Sequence, residues 1–129
     1  MNQMRCVSLH GVTMRVFHSE GEVNSDTVLR FEQIGNVFSA RYQGGGIVDG
    51  YLIGHVAERG DVLFRYVQAD ASGRLDQGVS TGVVVRLEDG RLQLTEDFQW
   101  LTRPGTGRNV FIEDRKSGDE NVDQVDIPA

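Results

Sequence analysis

Short runs in which apolar and polar residues alternate are the feature that most constrains how this chain can fold. The clearest run covers residues 91–100, where Leu92, Leu94, Phe98 and Trp100 alternate with polar neighbours. Successive side chains of a β-strand point to opposite faces, so this period predicts strands that are buried on one side. Eight runs have this character, and none of the chain shows a convincing helical period. The runs are 14–19, 28–34, 37–43, 50–57, 62–68, 77–87, 91–100 and 109–113.

Turn residues separate neighbouring runs and predict hairpins. Gly35 and Asn36 form a two-residue link between two alternating runs, and residues 88–90 read Glu-Asp-Gly. Both patterns are typical of tight turns between antiparallel strands. We therefore predict an all-β protein that forms a single eight-stranded antiparallel up-and-down barrel, because closure leaves no exposed sheet edge. A two-sheet sandwich is the alternative architecture.

The length of 129 residues corresponds to one domain. The alternating pattern places the barrel domain at residues 14–114. Residues 1–13 precede the pattern and are predicted to be an irregular N-terminal extension, with Met14 as an alternative start. Residues 115–129 are polar and acidic, which predicts a flexible tail.

Charge and cysteine content exclude several classes of partner. The formal net charge is -6, and no basic stripe is present, so nucleic acid is not an expected partner. No apolar run is long enough for a membrane-spanning helix, and the N-terminus does not resemble a signal peptide. Cys6 is the only cysteine, and the three histidines lack ligand spacing. We expect a cytoplasmic protein without a metal site or a cofactor.

Two glycine motifs resemble functional loops but are predicted to be structural. Residues 44–46 read Gly-Gly-Gly, yet a strand rather than a helix follows, so the cluster is expected to turn the chain instead of binding phosphate. Residues 78–82 match the G-x-S-x-G nucleophile elbow around Ser80. The elbow requires a helix after the serine, whereas Val-Val-Val follows here, so Ser80 is predicted to be structural or exposed.

One face of each strand must fill the interior of a closed barrel, and aromatic residues identify that face. The predicted inner set is Phe38, Tyr42, Leu52, Gly54, Phe64, Tyr66, Gln68, Leu92, Leu94, Glu96, Phe98 and Trp100. A buried carboxylate without a partner is costly, so Glu96 is expected to be solvated, paired or hydrogen-bonded by the phenols. This composition indicates a ligand pocket in which an apolar wall surrounds a few polar groups. The predicted wall is Phe38, Phe64 and Trp100, the donors are Tyr42 and Tyr66, and the anchors are Gln68 and Glu96.

The stretches VFSARYQGG, GYLIG, LFRYVQ and EDGR…FQW resemble a family of small bacterial proteins with an avidin-like barrel. The resemblance covers about residues 17–100. More remotely, Tyr42, residues 51–54 and residues 99–101 are similar to the strands of avidin and streptavidin. This implies an avidin-like or lipocalin-like (calycin) barrel whose lumen holds a small ligand, and it leaves a homo-oligomer open. It does not extend to biotin, because Gly44 and Gln68 stand where those barrels place a serine and a second tryptophan.

Three functions follow, in decreasing order of support. The first is a non-enzymatic barrel that binds a small, partly apolar molecule, and the second is a structural or interaction protein with a filled core. The third is an acetyltransferase, because relatives in the resembling family often carry the label N-acetylglutamate synthase. Residues 102–107 are similar to the acetyl-coenzyme A loop R/Q-x-x-G-x-G/A, but Arg103 stands one place too late and a β-like segment follows.

Overall fold

The computed structural model describes residues 7–115, and all of its regular structure in that range is β-strand. The alternating runs become eight strands. They are β1 (Thr13–Ser19), β2 (Val28–Ile34), β3 (Val37–Gly44), β4 (Ile47–Val56), β5 (Asp61–Asp70), β6 (Leu75–Arg86), β7 (Leu92–Trp100) and β8 (Thr106–Glu113). Residues 1–6 and the predicted tail after Arg115 lie outside the described residues.

Each strand pairs with the next in antiparallel register, and the sheet closes on itself. The closing contact joins β1 to β8, with Val16 opposite Phe111 and Met14 opposite Glu113. The register shifts between Val16 and His18, where β1 carries a bulge. The prediction of an eight-stranded up-and-down barrel is confirmed, and the sandwich alternative is wrong.

Several strands begin earlier in the chain than the alternation predicts. β4 starts at Ile47 instead of residue 50, and β8 starts at Thr106 instead of residue 109. The added residues of β8 pair with β7, since Gly107 lies opposite Phe98 and Thr106 opposite Gln99. A glycine or a polar residue carries little strand signal on its own, so only the neighbouring strand shows that it belongs to the sheet.

The glycine cluster turns the chain between β3 and β4. Gly44 and Gly45 have φ angles of 118° and 65°, a region that side chains other than glycine rarely adopt. A Cβ on Gly44 would collide with the backbone of Asp26, and one on Gly45 would collide with Asn24. The cluster therefore also lets the β1–β2 segment (residues 20–27) approach this turn.

The core fills the barrel from the predicted inner faces. Along β5, buried residues alternate with exposed ones, and Phe64, Tyr66 and Gln68 lie on the buried side. Leu9 and Val12 are also buried, although the prediction assigned them to the N-terminal extension. The Leu9 amide donates to the Gln33 side-chain oxygen at 2.8 Å. The packed core therefore includes residues that precede the alternating pattern.

Candidate functional site

A small cavity lies in the lumen, and strand alternation places most of the predicted site residues around it. Six of the seven line it: Tyr42, Phe64, Tyr66, Gln68, Glu96 and Trp100. Phe38 does not, because it packs below the cavity against Phe31 and Phe64 at centroid distances of 6.2 and 5.7 Å. The cavity measures about 30 Å³. That is room for about two water-sized groups, whereas sites for drug-sized ligands measure roughly 300–1,000 Å³.

Glycines on neighbouring strands make room for the two lumen tyrosines. Gly50 lies opposite Tyr42 across β3 and β4, and Gly78 lies opposite Tyr66 across β5 and β6. A Cβ on either glycine would collide with the ring of its tyrosine. Each tyrosine ring therefore lies over the backbone of the neighbouring strand, and the glycine there determines the position of the phenol group.

Tyr42 and Gln68 form a hydrogen bond with each other inside the lumen. The Tyr42 hydroxyl donates to the Gln68 side-chain oxygen at 2.9 Å, and both side chains are buried. Burial, and then the neighbouring Glu96 carboxyl, raise the pKa of Tyr42 well above its usual range. This phenol is therefore a neutral hydrogen-bond donor across the physiological pH range.

Glu96 is the only buried carboxyl group within residues 7–115 that lacks a cationic partner, since the other one, Asp76, lies beside Arg74 and Arg103. Its Oε2 accepts a hydrogen bond from Asn109 Nδ2 at 2.8 Å, while Oε1 has no partner. Burial raises the pKa of Glu96, and the Asn109 hydrogen bond only partly offsets this. The partner of this carboxyl is thus the Asn109 amide on β8, which the sequence did not identify, and neither phenol donates to it.

Three buried polar atoms of the described chain have no hydrogen-bond partner: Tyr66 Oη, Ser80 Oγ and Glu96 Oε1. The Ser80 hydroxyl lies close enough to both other groups to lower the pKa of each. None of the three pairs nevertheless has the length and angle of a hydrogen bond. More than nine in ten buried polar groups in folded proteins are satisfied, so this cluster is unusual.

An ion-pair group closes the mouth of the barrel above Trp100. The Arg103 guanidinium stacks 4.3 Å from the Trp100 ring centroid and donates to Glu22 of the β1–β2 segment at 2.7 Å. Asp76 on β6 lies 3.7 Å from Arg103 and 3.0 Å from Arg74. Arg103 is thus engaged within the barrel, and residues 106–113, which would follow a coenzyme A loop as a helix, form β8.

Replacing Arg103 with alanine should loosen the β1–β2 segment over the lumen. The variant loses the Glu22 ion pair and the contact with Trp100, which together contribute about 1–2 kcal/mol. We expect faster amide hydrogen exchange in residues 20–27 and stronger acrylamide quenching of Trp100, the only tryptophan of the chain. Arg41→Ala removes an exterior ion pair with Asp49 and is the matched control. Equal quenching in the two variants would show that Arg103 does not hold the mouth.

Sequence reasoning missed three contributors to this site. Asn109 stood at the start of a short predicted strand, Ser80 was assigned a structural or exposed position, and Glu22 lay in a turn-rich segment. For Ser80 a signal was present, since it shares the inward period of Asp76 and Gly78, which are both buried on β6. Glu22 and Arg103 are 81 residues apart, and no local pattern relates them.

The architecture and the lumen together can be compared with known proteins. A family model described as avidin-like protein matches residues 7–114. The chain belongs to the avidin-like family. No curated protein and no solved structure gives a significant match to this sequence.

Two positions singled out in the sequence have structural roles. A Cβ on Gly44 would collide with the Asp26 carbonyl. The Gln68 side-chain oxygen accepts a hydrogen bond from the Tyr42 hydroxyl.

No helix within residues 7–115 is both long and apolar enough to cross a membrane. No group of three or more His, Cys, Asp or Glu side chains in the same range is arranged to hold a metal ion.

Proposed function

We propose that this avidin-like barrel binds one small, partly apolar molecule in its lumen and performs no chemistry on it. The observation that carries the proposal is the cluster of Tyr66 Oη, Ser80 Oγ and Glu96 Oε1, three buried polar atoms without partners beside an aromatic wall. An unsatisfied buried polar atom costs about 1–3 kcal/mol, so a ligand that satisfies Tyr66 Oη and Glu96 Oε1, the two that line the cavity, gains affinity. In this role Phe64 and Trp100 form the apolar wall of the site, and Phe38 packs against Phe64 from below. Tyr42 and Gln68 form the hydrogen-bonded polar side of the site.

A filled barrel that acts as a structural or interaction protein is the second candidate. One observation favours it: the cavity of about 30 Å³ admits no more than a small polar group while the mouth is closed. A larger molecule enters only if the β1–β2 segment moves. The two candidates therefore differ in whether the purified protein carries a molecule in its lumen.

The exterior of the barrel supports a homo-oligomer. Tyr51 and Val67 lie opposite each other on the outer faces of β4 and β5, and Ile53 and Leu63 continue the same surface. These four side chains are 45–51% exposed. Adjacent exposed apolar residues mark association sites more often than single ones do. We also propose that the protein works in the cytoplasm, where a lone thiol such as Cys6 stays reduced.

Native mass spectrometry of the purified protein tests both proposals in one measurement. We expect a small-molecule adduct and a mass that corresponds to more than one chain. Glu96→Gln should weaken ligand binding by about 1.5–3 kcal/mol, or roughly 10- to 100-fold, through the lost hydrogen bond to a charged group. Glu32→Gln makes the same change on an exposed position of β2 and should have no effect. An adduct equally strong in Glu96→Gln would remove Glu96 from the site, and absence of any adduct would favour the filled core.

A further inference from the structure

The charges around the lumen identify the kind of ligand that fits it, provided that the lumen is a binding site as proposed above. At the mouth, Arg74 and Arg103 balance Glu22 and Asp76, so this group has no net charge. None of the residues that line the cavity is Lys, Arg or His. Glu96 therefore remains as the uncompensated acidic group of the lumen.

The unpartnered atoms around Glu96 share one property: each can accept a hydrogen bond. Glu96 Oε1, Tyr66 Oη and Ser80 Oγ are all buried, and Ser80 lies beside the other two. A carboxylate accepts only, while the two hydroxyls accept as readily as they donate. Glu96 and Tyr66 line the cavity and Ser80 does not, so two acceptors face the lumen and match a group that carries several N–H donors.

The aromatic side chains around the cavity also favour a positively charged ligand. Tyr66 and Trp100 meet edge to face at 5.5 Å, Phe98 lies 5.8 Å from Trp100, and Phe64 lies 6.4 Å from Tyr66. Aromatic faces attract cations, and the attraction strengthens where water is excluded. The cavity of about 30 Å³ is also large enough for a group of the size of ammonium without any movement of the walls.

We propose that the lumen binds the protonated amino group of a small primary amine, with Glu96 Oε1 and Tyr66 Oη as its acceptors. The positive charge pairs with the Glu96 carboxylate, and the Asn109 amide holds the second carboxylate oxygen in place. The β1–β2 segment must move to admit the carbon portion of the amine, which then contacts Phe98 and Trp100 below the mouth. An anionic ligand meets only like charge there, and a neutral amide brings no positive charge to the carboxylate.

Trp100 reports occupancy, because it lines the cavity and is the only tryptophan of the chain. Its indole N–H resonance can be followed in four titrations of the full chain at pH 7.5. Propylammonium is the primary ammonium, tetramethylammonium is a cation without N–H groups, propionamide is neutral, and propionate is an anion. We expect a saturable shift with propylammonium and at least tenfold weaker binding of the other three compounds.

Variants assign the effect to the lumen. Glu96→Gln should weaken propylammonium binding at least tenfold, and Tyr66→Phe should weaken it several-fold by removing one of the two acceptors. Tyr51→Phe makes the same change on the exposed face of β4 and should leave binding unchanged. Since Tyr66→Phe removes only one hydroxyl, it keeps the test informative if Glu96→Gln folds poorly.

The possible failures are distinguishable. If propionamide or propionate shifts Trp100 as strongly as propylammonium does, the lumen binds a ligand of another class, so the amine assignment is wrong while the proposed function stands. Binding of propylammonium that Glu96→Gln and Tyr66→Phe leave unchanged also overturns the assignment. If no compound shifts Trp100 and the purified protein carries no adduct, both proposals fail and the cluster is filled by water.

Discussion

Gly54→Ala should destabilise the barrel by about 1–3 kcal/mol or more, although the substitution adds a single methyl group. Gly54 lies on β4 between two aromatic residues, opposite Phe38 on β3 and opposite Phe64 on β5. A Cβ at this position would collide with the Leu63 carbonyl and with the Cα and Cβ of Phe64. Backbone atoms cannot move aside as the end of a flexible side chain can, so β4 and β5 must separate.

Gly46→Ala is the matched control for this substitution. Gly46 lies in the turn before β4, its φ is not positive, and a Cβ there would meet nothing within 4 Å. Alanine also restricts the unfolded chain, so this variant should be as stable as the wild type or slightly more stable. Urea unfolding of the three proteins measures the difference. Equal midpoints for the Gly54 and Gly46 variants would contradict the close approach of β4 and β5.

The glycine and aromatic pairs explain how much of this fold could be predicted. The alternation of apolar and polar residues was enough to assign Phe64, Tyr66 and Trp100 to the interior. Shifting the register of a strand by one residue would turn its aromatic side chains to the exterior. Short hairpins then allowed only local antiparallel pairing, and a closed barrel is the arrangement that leaves no edge. The same alternation could not show that glycines such as Gly54 and Gly78 lie opposite aromatic rings, since this depends on the pairing between strands.

The candidate site was predicted less completely, because hydrogen bonding across a barrel depends on register and depth. Glu96 was recognised from its phase in β7, but its partner Asn109 belongs to β8. Phe38 has the correct phase and is fully buried, yet it lies below the cavity. Alternation gives the face on which a side chain lies, not its height along the barrel axis or the volume left beside it.

Removing the buried charge of Glu96 should produce the second large effect, a change in how stability depends on pH. Burial raises the pKa of Glu96 above its ordinary value of 4.5 in the folded protein. Between that value and the raised folded pKa, the folded state binds more protons than the unfolded state. Stability of the wild type without ligand therefore falls as the pH rises through this window, and the loss is complete above the folded pKa.

Glu96→Gln should abolish this loss of stability at rising pH. The amide keeps nearly the same shape, its oxygen can accept from Asn109, and its NH2 can donate toward Tyr66 and Ser80. The variant should therefore be more stable than the wild type near pH 8, and the difference should shrink as the pH falls towards 4. Thermal melts of both proteins at half-unit pH steps, without added amine, measure this difference.

The other ionisable groups around Glu96 do not produce the same dependence of stability on pH. Tyr42 and Tyr66 have pKa values raised by burial and by Glu96 itself, so both phenols stay neutral between pH 4 and 8. Asp97 lies on the outer face of β7, and its hydrogen bond with Arg108 lowers its pKa, which gives stability that is lost at acid pH. That contribution is common to the wild type and the variant and cancels in the difference.

Since Glu32→Gln alters an exposed carboxyl, its difference from the wild type should stay near zero at every pH. A difference between Glu96→Gln and the wild type that does not change with pH would mean that Glu96 titrates in the folded barrel as it does in the unfolded chain, with water reaching its free oxygen.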